Sequence, residues 1–79
     1  MSTSARTSEI RATDVRIGRR HLEVSLVDGR PVRVPFAWFP RLQAATPEQR
    51  RQWHLIGKGI GIRWEEIDED VSVANLLRA

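Results

Sequence analysis

Two histidines, His21 and His54, are the only imidazole groups in this sequence, and the sequence contains no cysteine. The lack of cysteine excludes disulfides, cysteine-based zinc sites, thiolate nucleophiles and iron–sulfur clusters. Neither histidine lies in a metal-ligand spacing such as His-Glu-x-x-His, and no serine lies in a nucleophile-elbow motif. We therefore predict a protein that is not an enzyme, with no catalytic residue, no cofactor and no metal site.

One glycine-rich segment, Gly57-Lys58-Gly59-Ile60-Gly61, superficially resembles a phosphate-binding loop. A P-loop needs an earlier glycine at the place of Gln52 and a serine or threonine at the place of Gly59. A dinucleotide-binding loop opens a helix, whereas this segment precedes an alternating strand pattern. The pattern is typical of a helix C-cap followed by the entry into a strand.

The most concentrated charge is an acidic strip at residues 65–70, which carries the carboxylates of Glu65, Glu66, Asp68, Glu69 and Asp70. Two interpretations stay open. In the first, the carboxylates complement the positive end of the helix that follows, at about 0.3–1 kcal/mol each. In the second, the strip is a docking surface for a basic partner, with Ile67 as an apolar anchor among the charges.

Arginine supplies all the basic residues except Lys58. Residues 1–63 carry 12 basic and 5 acidic side chains, a charge of +7, and residues 64–79 carry −4, which together give the net charge of +3. Nucleic-acid binding is the alternative function, and it requires arginines on one face beside exposed aromatic rings. The candidate residues for this function are Arg19, Arg20, Arg50 and Arg51. Because we expect all three tryptophans in the core, a basic protein partner is favoured over nucleic acid.

The length of 79 residues indicates one folded unit. The small polar residues at the start predict a disordered segment over 1–10, followed by a single domain over 11–79. No apolar run is long enough to cross a membrane, so we expect a cytoplasmic protein with no membrane partner. The oligomeric state cannot be read from these patterns.

Alternating apolar residues predict strands at residues 13–17 and 21–26 and a third strand through Val32, Val34 and Phe36. A three-residue loop, Val27-Asp28-Gly29, places Val24 opposite Val32 and so keeps both apolar sets on one face. Gly29 fits the left-handed position of such a loop.

Helices are predicted in three places. A short one follows Pro35, with Trp38 and Leu42 sharing a buried face. Thr46-Pro47-Glu48-Gln49 is a capping box that starts a second helix, which we expect to reach Ile56. Ser72 caps a third helix with a stripe of Val73, Leu76 and Leu77, after a strand formed by Ile60, Ile62 and Trp64. The order β-β-β-α-α-β-α predicts an α+β domain with one small, mainly antiparallel sheet covered on one face by short helices.

Two blocks of sequence carry a family resemblance: Trp38-Phe39-Pro40-Arg41-Leu42 and Asp68-Glu69-Asp70-Val71-Ser72. With the surrounding pattern, over roughly residues 13–78, the chain resembles the small prokaryotic family called domain of unknown function 2442. Members of that family often read Ile-His-Trp-Pro where this chain has Ile62-Arg63-Trp64-Glu65.

The resemblance implies an α+β fold without an established enzymatic activity. It also implies a gene pair that resembles a toxin–antitoxin arrangement, in which the partner is a small basic protein, the toxin, encoded by the neighbouring gene. An acidic antitoxin segment occupies a basic groove on such a toxin, so the acidic strip is the expected contact. The sequence therefore favours a protein-binding module similar to an antitoxin, with a nucleic-acid-binding regulator as the alternative.

Overall fold

The computed structural model describes residues 10–78 as six strands and three short helices. Two single-turn 3-10 helices lie at Phe36–Trp38 and Gly57–Gly59. In chain order the elements are β1 Ala12–Ile17, β2 His21–Leu26, β3 Pro31–Pro35, α1 Pro40–Ala44, α2 Pro47–Arg50, β4 His54–Ile56, β5 Gly61–Trp64, β6 Glu69–Ser72 and α3 Val73–Arg78. The disordered segment predicted at residues 1–10 lies outside the described residues except for Ile10, which packs against the core.

The strands form two antiparallel three-stranded sheets, ordered β1-β2-β3 and β4-β5-β6. This confirms the α+β class, but the predicted order with one sheet is wrong. The two additional strands, β4 and β6, are three and four residues long, and each flanks β5. Neither strand is long enough to show a clear alternation of apolar and polar residues. Their strand conformation therefore depends on pairing with β5 rather than on the local sequence pattern.

The β2–β3 hairpin has the predicted register. Val24 lies opposite Val32 and Leu22 opposite Val34. Gly29 has φ of +95° and donates its amide to the Leu26 carbonyl at 2.9 Å, which closes the three-residue loop. Since L side chains rarely adopt this φ, glycine is the residue that fits here.

The second helix starts where predicted and ends early. Thr46 accepts a hydrogen bond from the Gln49 amide at 3.1 Å, and the Gln49 side chain accepts from the Thr46 amide at 2.9 Å, a complete capping box. The helix then stops at Arg50, and His54 already begins β4. The expectation that the helix continues to Ile56 is therefore wrong, because its polar residues leave no apolar stripe to hold further turns against a core.

The core combines buried residues of both sheets and is dominated by Trp64, Phe36, Leu22 and Leu42, all almost fully buried. Of the other two tryptophans, Trp53 is partly buried and Trp38 is 48% exposed. The prediction that all three tryptophans belong to the core is wrong for Trp38, because the chain turns through a 3-10 helix there and only Phe36 points inward.

The third helix follows β6 directly. Ser72 accepts a hydrogen bond from the Asn75 amide at 3.4 Å, as predicted for its cap. Val73 and Leu76 are buried, while Leu77 is 37% exposed, so the predicted stripe is narrower than expected. No helix among residues 10–78 has the length and apolar character needed to cross a membrane.

Candidate functional site

Arginines from separate parts of the chain meet at the end of the molecule formed by the β1–β2 turn. Arg19 and Arg20 occupy the two central positions of that turn, between Gly18 and His21, whose amide and carbonyl are 2.8 Å apart. Both side chains are exposed. The Arg20 carbonyl accepts the Phe36 amide at 2.9 Å, so the turn is fixed to the segment that follows β3.

Arg50 reaches the same place from α2. Its guanidinium lies 4.3 Å from the centre of the Phe36 ring and donates to the carbonyls of Leu42 and Gln43, each at 2.8 Å. These carbonyls belong to the last turn of α1, and the Leu42 carbonyl also accepts from the Ala45 amide at 3.2 Å. Because a guanidinium has five N–H groups, those not used on the two carbonyls remain able to bind another group.

Three clefts connect these residues. One of about 310 Å³ is lined by Arg19, Arg20, His21, Arg50 and the segment around Phe36. A second, of about 430 Å³, separates Arg19 from Pro47 and Arg51. A third, of about 340 Å³, extends over the exposed face of the first sheet. There Arg16, Glu23 and Arg33 are cross-strand neighbours. We call the arginines that line these clefts the arginine cluster: Arg16, Arg19, Arg20, Arg33, Arg50 and Arg51.

The acidic strip consists of the turn between β5 and β6 and the first two residues of β6, and arginines of the same chain contact its carboxylates. Arg63, on β5, contacts three of its carboxylates: Asp68 at 2.8 Å, Asp70 at 3.0 Å and Glu65 at 3.4 Å. Arg63 and Asp70 are cross-strand neighbours, and Asp68 has φ of +55°, so the turn geometry brings the carboxylates around the guanidinium. Hydrogen bonding to Arg63 lowers the pKa of Asp68, and the same contacts raise the pKa of Arg63.

Two further residues of the acidic strip, Glu66 and Ile67, contact other parts of the molecule. Glu66 accepts a hydrogen bond from the Gln49 side chain at 3.2 Å, and Ile67 packs partly against the core. Glu69 is half-buried on β6. Two guanidinium groups, Arg63 and an Arg41 that lies 3.7 Å from Asp68, face the five carboxylates of the strip. The strip therefore keeps a local formal charge of −3.

Both histidines are exposed, and they lie apart from each other in the fold. His21 lines the cleft beside Arg20, and His54 lies 3.7 Å from Glu65. Among residues 10–78, no group of three or more histidine, cysteine or acidic side chains has the geometry of a metal site. The glycine-rich segment 57–61 contains a 3-10 turn between β4 and β5 and leads into a strand as predicted, but the predicted helix C-cap is wrong because β4 precedes it.

Comparison with known protein families shows which family this chain belongs to. The model of the family described as "Protein of unknown function (DUF2442)" matches residues 12–79. The chain belongs to the DUF2442 family. This confirms the resemblance that the Trp38–Leu42 and Asp68–Ser72 blocks indicate.

A solved structure of similar shape is a crystal structure of a protein of unknown function from Rhodospirillum rubrum. It is 29% identical in sequence, with a TM-score of 0.80 over 89% of this chain and 87% of that one. A comparison with curated proteins finds no match. The similarity therefore supports the fold along nearly the whole chain and assigns no activity.

In this DUF2442 member, Arg63 holds three carboxylates of the acidic strip. An arginine can contact three carboxylates at once because its planar group presents five donors. Sequence reasoning missed Arg63, although its position seven residues before Asp70 is the signal of a cross-strand pair once β6 is recognised. All four arginines predicted as a nucleic-acid site line two clefts that share Arg19 and Arg50. Residues 65–68 of the acidic strip form the β5–β6 turn, and Glu69 and Asp70 begin β6.

Proposed function

We propose that this DUF2442 protein is a non-catalytic binding protein whose arginine cluster contacts the phosphate backbone of a nucleic acid. The observation that supports this most is that arginines distant in sequence line shared clefts. Arg19 and Arg20 come from a hairpin turn, and Arg50 and Arg51 come from the end of a helix about thirty positions later. Arg19 and Arg50 line two clefts together, with Arg20 in one of them and Arg51 in the other. Of the residues 10–78 that the structure describes, Glu23 is the only acidic one lining these three clefts, against six arginines.

The chemistry of the cluster suits phosphate. Guanidinium groups bind phosphate oxygens through paired N–H donors, and these charge-assisted hydrogen bonds are stronger than neutral ones. Contacts with Leu42, Gln43 and Phe36 already hold the Arg50 side chain in place. When Arg50 binds a phosphate, it therefore loses little additional side-chain entropy. The exposed Arg19 and Arg20 add mobile charges at the rim of the same cleft.

The test is salt-dependent binding of fluorescein-labelled oligonucleotides, followed by anisotropy. We expect a dissociation constant of about 10⁻⁴–10⁻⁶ M near physiological salt, with log K falling linearly as log salt rises. Arg19→Gln/Arg20→Gln should weaken binding. It should also reduce the steepness of that line by about 0.7 for each single-strand phosphate that the variant no longer neutralises.

The matched control is Arg11→Gln/Arg30→Gln, which removes the same charge at the opposite end of the first sheet. It should leave the slope nearly unchanged. An equal weakening of binding by both variants would show that net charge alone drives binding. No binding by the wild-type protein at low salt would remove the proposed function.

A second candidate, of another class, is an antitoxin-like contact between the acidic strip and a small basic protein encoded by the neighbouring gene. It is favoured by the charge of −3 that remains after internal pairing, and by the exposure of Glu65 and Asp68, at 69% and 75%. Both the basic partner and its neighbouring gene are expectations implied by the family resemblance. The internal contacts of Arg63 weigh against this candidate, because docking must compete with them.

Co-expression with the neighbouring gene product tests this candidate. Glu66→Gln/Glu69→Gln removes two charges from the strip without touching the carboxylates that Arg63 holds. We expect this variant to weaken a co-eluting complex, while Glu23→Gln/Glu48→Gln leaves it intact. Separate elution of the two wild-type proteins at micromolar concentration would contradict the candidate.

A further inference from the structure

The exposed indole of Trp38 needs an explanation. A tryptophan offers one of the largest apolar surfaces available for burial, and in this domain Trp64 is fully buried while Trp38 is 48% exposed. Trp38 ends the 3-10 helix Phe36–Trp38, and the two residues before it, Phe36 and Ala37, line the cleft of the arginine cluster. The exposed Trp38 therefore directly follows, along the chain, two residues that line this cationic cleft.

Backbone hydrogen bonds join the segment that carries Trp38 to the β1–β2 turn that carries Arg19 and Arg20. The amide of Phe39 donates to the Phe36 carbonyl at 2.8 Å and closes the 3-10 turn, and the Phe36 amide donates to the Arg20 carbonyl. The Phe36 ring itself lies under the Arg50 guanidinium. Backbone hydrogen bonds and the buried Phe36 side chain thus fix the backbone of the Phe36–Trp38 helix relative to the backbone of Arg20 and the guanidinium of Arg50.

We infer that the nucleic acid bound by the arginine cluster is single-stranded, and that an unpaired base stacks on Trp38 while flanking phosphates contact the arginines. This inference rests on the proposed function. The π-face of a base is accessible to a protein ring when the base is not stacked inside a duplex. An aromatic platform beside a cationic groove is the combination that single-strand binding uses.

The experiment compares a labelled fifteen-residue oligothymidylate with a labelled duplex of the same length. Trp38→Ala should weaken single-strand binding about 5- to 150-fold and leave duplex binding nearly unchanged. Trp38→Phe, which keeps an aromatic face, should retain most of the affinity. Binding should also quench tryptophan emission in the wild type, and this quenching should be largely abolished in Trp38→Phe.

Val27→Ala is the control for the removal of exposed apolar surface, since Val27 is 62% exposed and lies at the β2–β3 turn. It should bind both oligonucleotides as the wild type does. Circular dichroism of each variant shows whether the fold is kept, and Trp38→Phe supplies the test if Trp38→Ala does not fold.

Two negative results separate this inference from the proposed function. Equal binding of single strand and duplex, with no effect of Trp38→Ala, would overturn the single-strand inference and leave the arginine cluster as a phosphate site. No binding of either oligonucleotide would overturn both. If Trp38→Ala instead weakened only a complex with the neighbouring gene product, Trp38 would belong to a protein interface and the inference would be wrong.

Discussion

Replacement of Arg50 by alanine should destabilise the fold, because this side chain joins three parts of the molecule. It donates to the last carbonyls of α1, covers the ring of Phe36, and extends from α2. In addition, the backbone carbonyl of Arg50 accepts the indole N–H of Trp64 at 2.8 Å, which connects α2 to the second sheet. That backbone hydrogen bond survives the substitution, so the change isolates the guanidinium.

The expected destabilisation can be estimated interaction by interaction. The hydrogen bond to Leu42 is partly buried, and a bond from a charged donor is worth about 1.5–3 kcal/mol. The bond to Gln43 is exposed, so water replaces most of it. The interaction with the Phe36 ring adds about 0.5–1 kcal/mol. The total, about 2–4 kcal/mol, is a large share of the roughly 4–12 kcal/mol expected for a domain of this length.

Equilibrium urea unfolding, followed by tryptophan emission and circular dichroism, measures this destabilisation. Arg50→Lys should fall between wild type and Arg50→Ala, because one ammonium keeps the charge but lacks the planar pair of donors. Arg51→Ala is the matched control: the neighbouring arginine is exposed, and its removal should change stability by less than about 0.5 kcal/mol. If Arg50→Ala were no more destabilising than Arg51→Ala, the structural role assigned to Arg50 would be refuted.

Two further predictions concern the turns. Gly59 and Gly29 both have positive φ, but a Cβ on Gly59 would collide with the Ala12 backbone whereas one on Gly29 meets nothing. Gly59→Ala should therefore cost about 1–3 kcal/mol more than Gly29→Ala in urea unfolding, and equal costs would contradict a close approach there. Arg63 lowers the pKa of Asp68 below its usual 3.8, so the stability this gives is present above that value and is lost as pH falls through the lower folded value. Asp68→Asn should make acid unfolding below about pH 4 less steep, and an unchanged profile would argue against the ion pair.

The parts of the fold that sequence predicts correctly depend on residues close together in the chain. The three-residue loop at Gly29 follows from the parity of two alternating strands, and the capping box follows from Thr46 and Gln49 alone. The parts it misses depend on distant partners. Val71 is the one buried residue of β6, and it is recognised as part of a strand only when Ile62 lies opposite.

The candidate site also combines local and distant residues. For this reason the sequence favours protein binding by the acidic strip, whereas the fold favours nucleic-acid binding by the arginine cluster. The sequence places five carboxylates within six positions, and that local density favours the acidic strip as the contact surface. In the fold, however, Arg63 and Arg41 neutralise part of that charge and leave −3. The arginines are scattered in sequence, yet six of them meet around clefts with one acidic residue, a local charge of +5. Since a charged partner is attracted by the charge that remains uncompensated at the surface, the arginine cluster, with the larger formal charge, is the surface to test first.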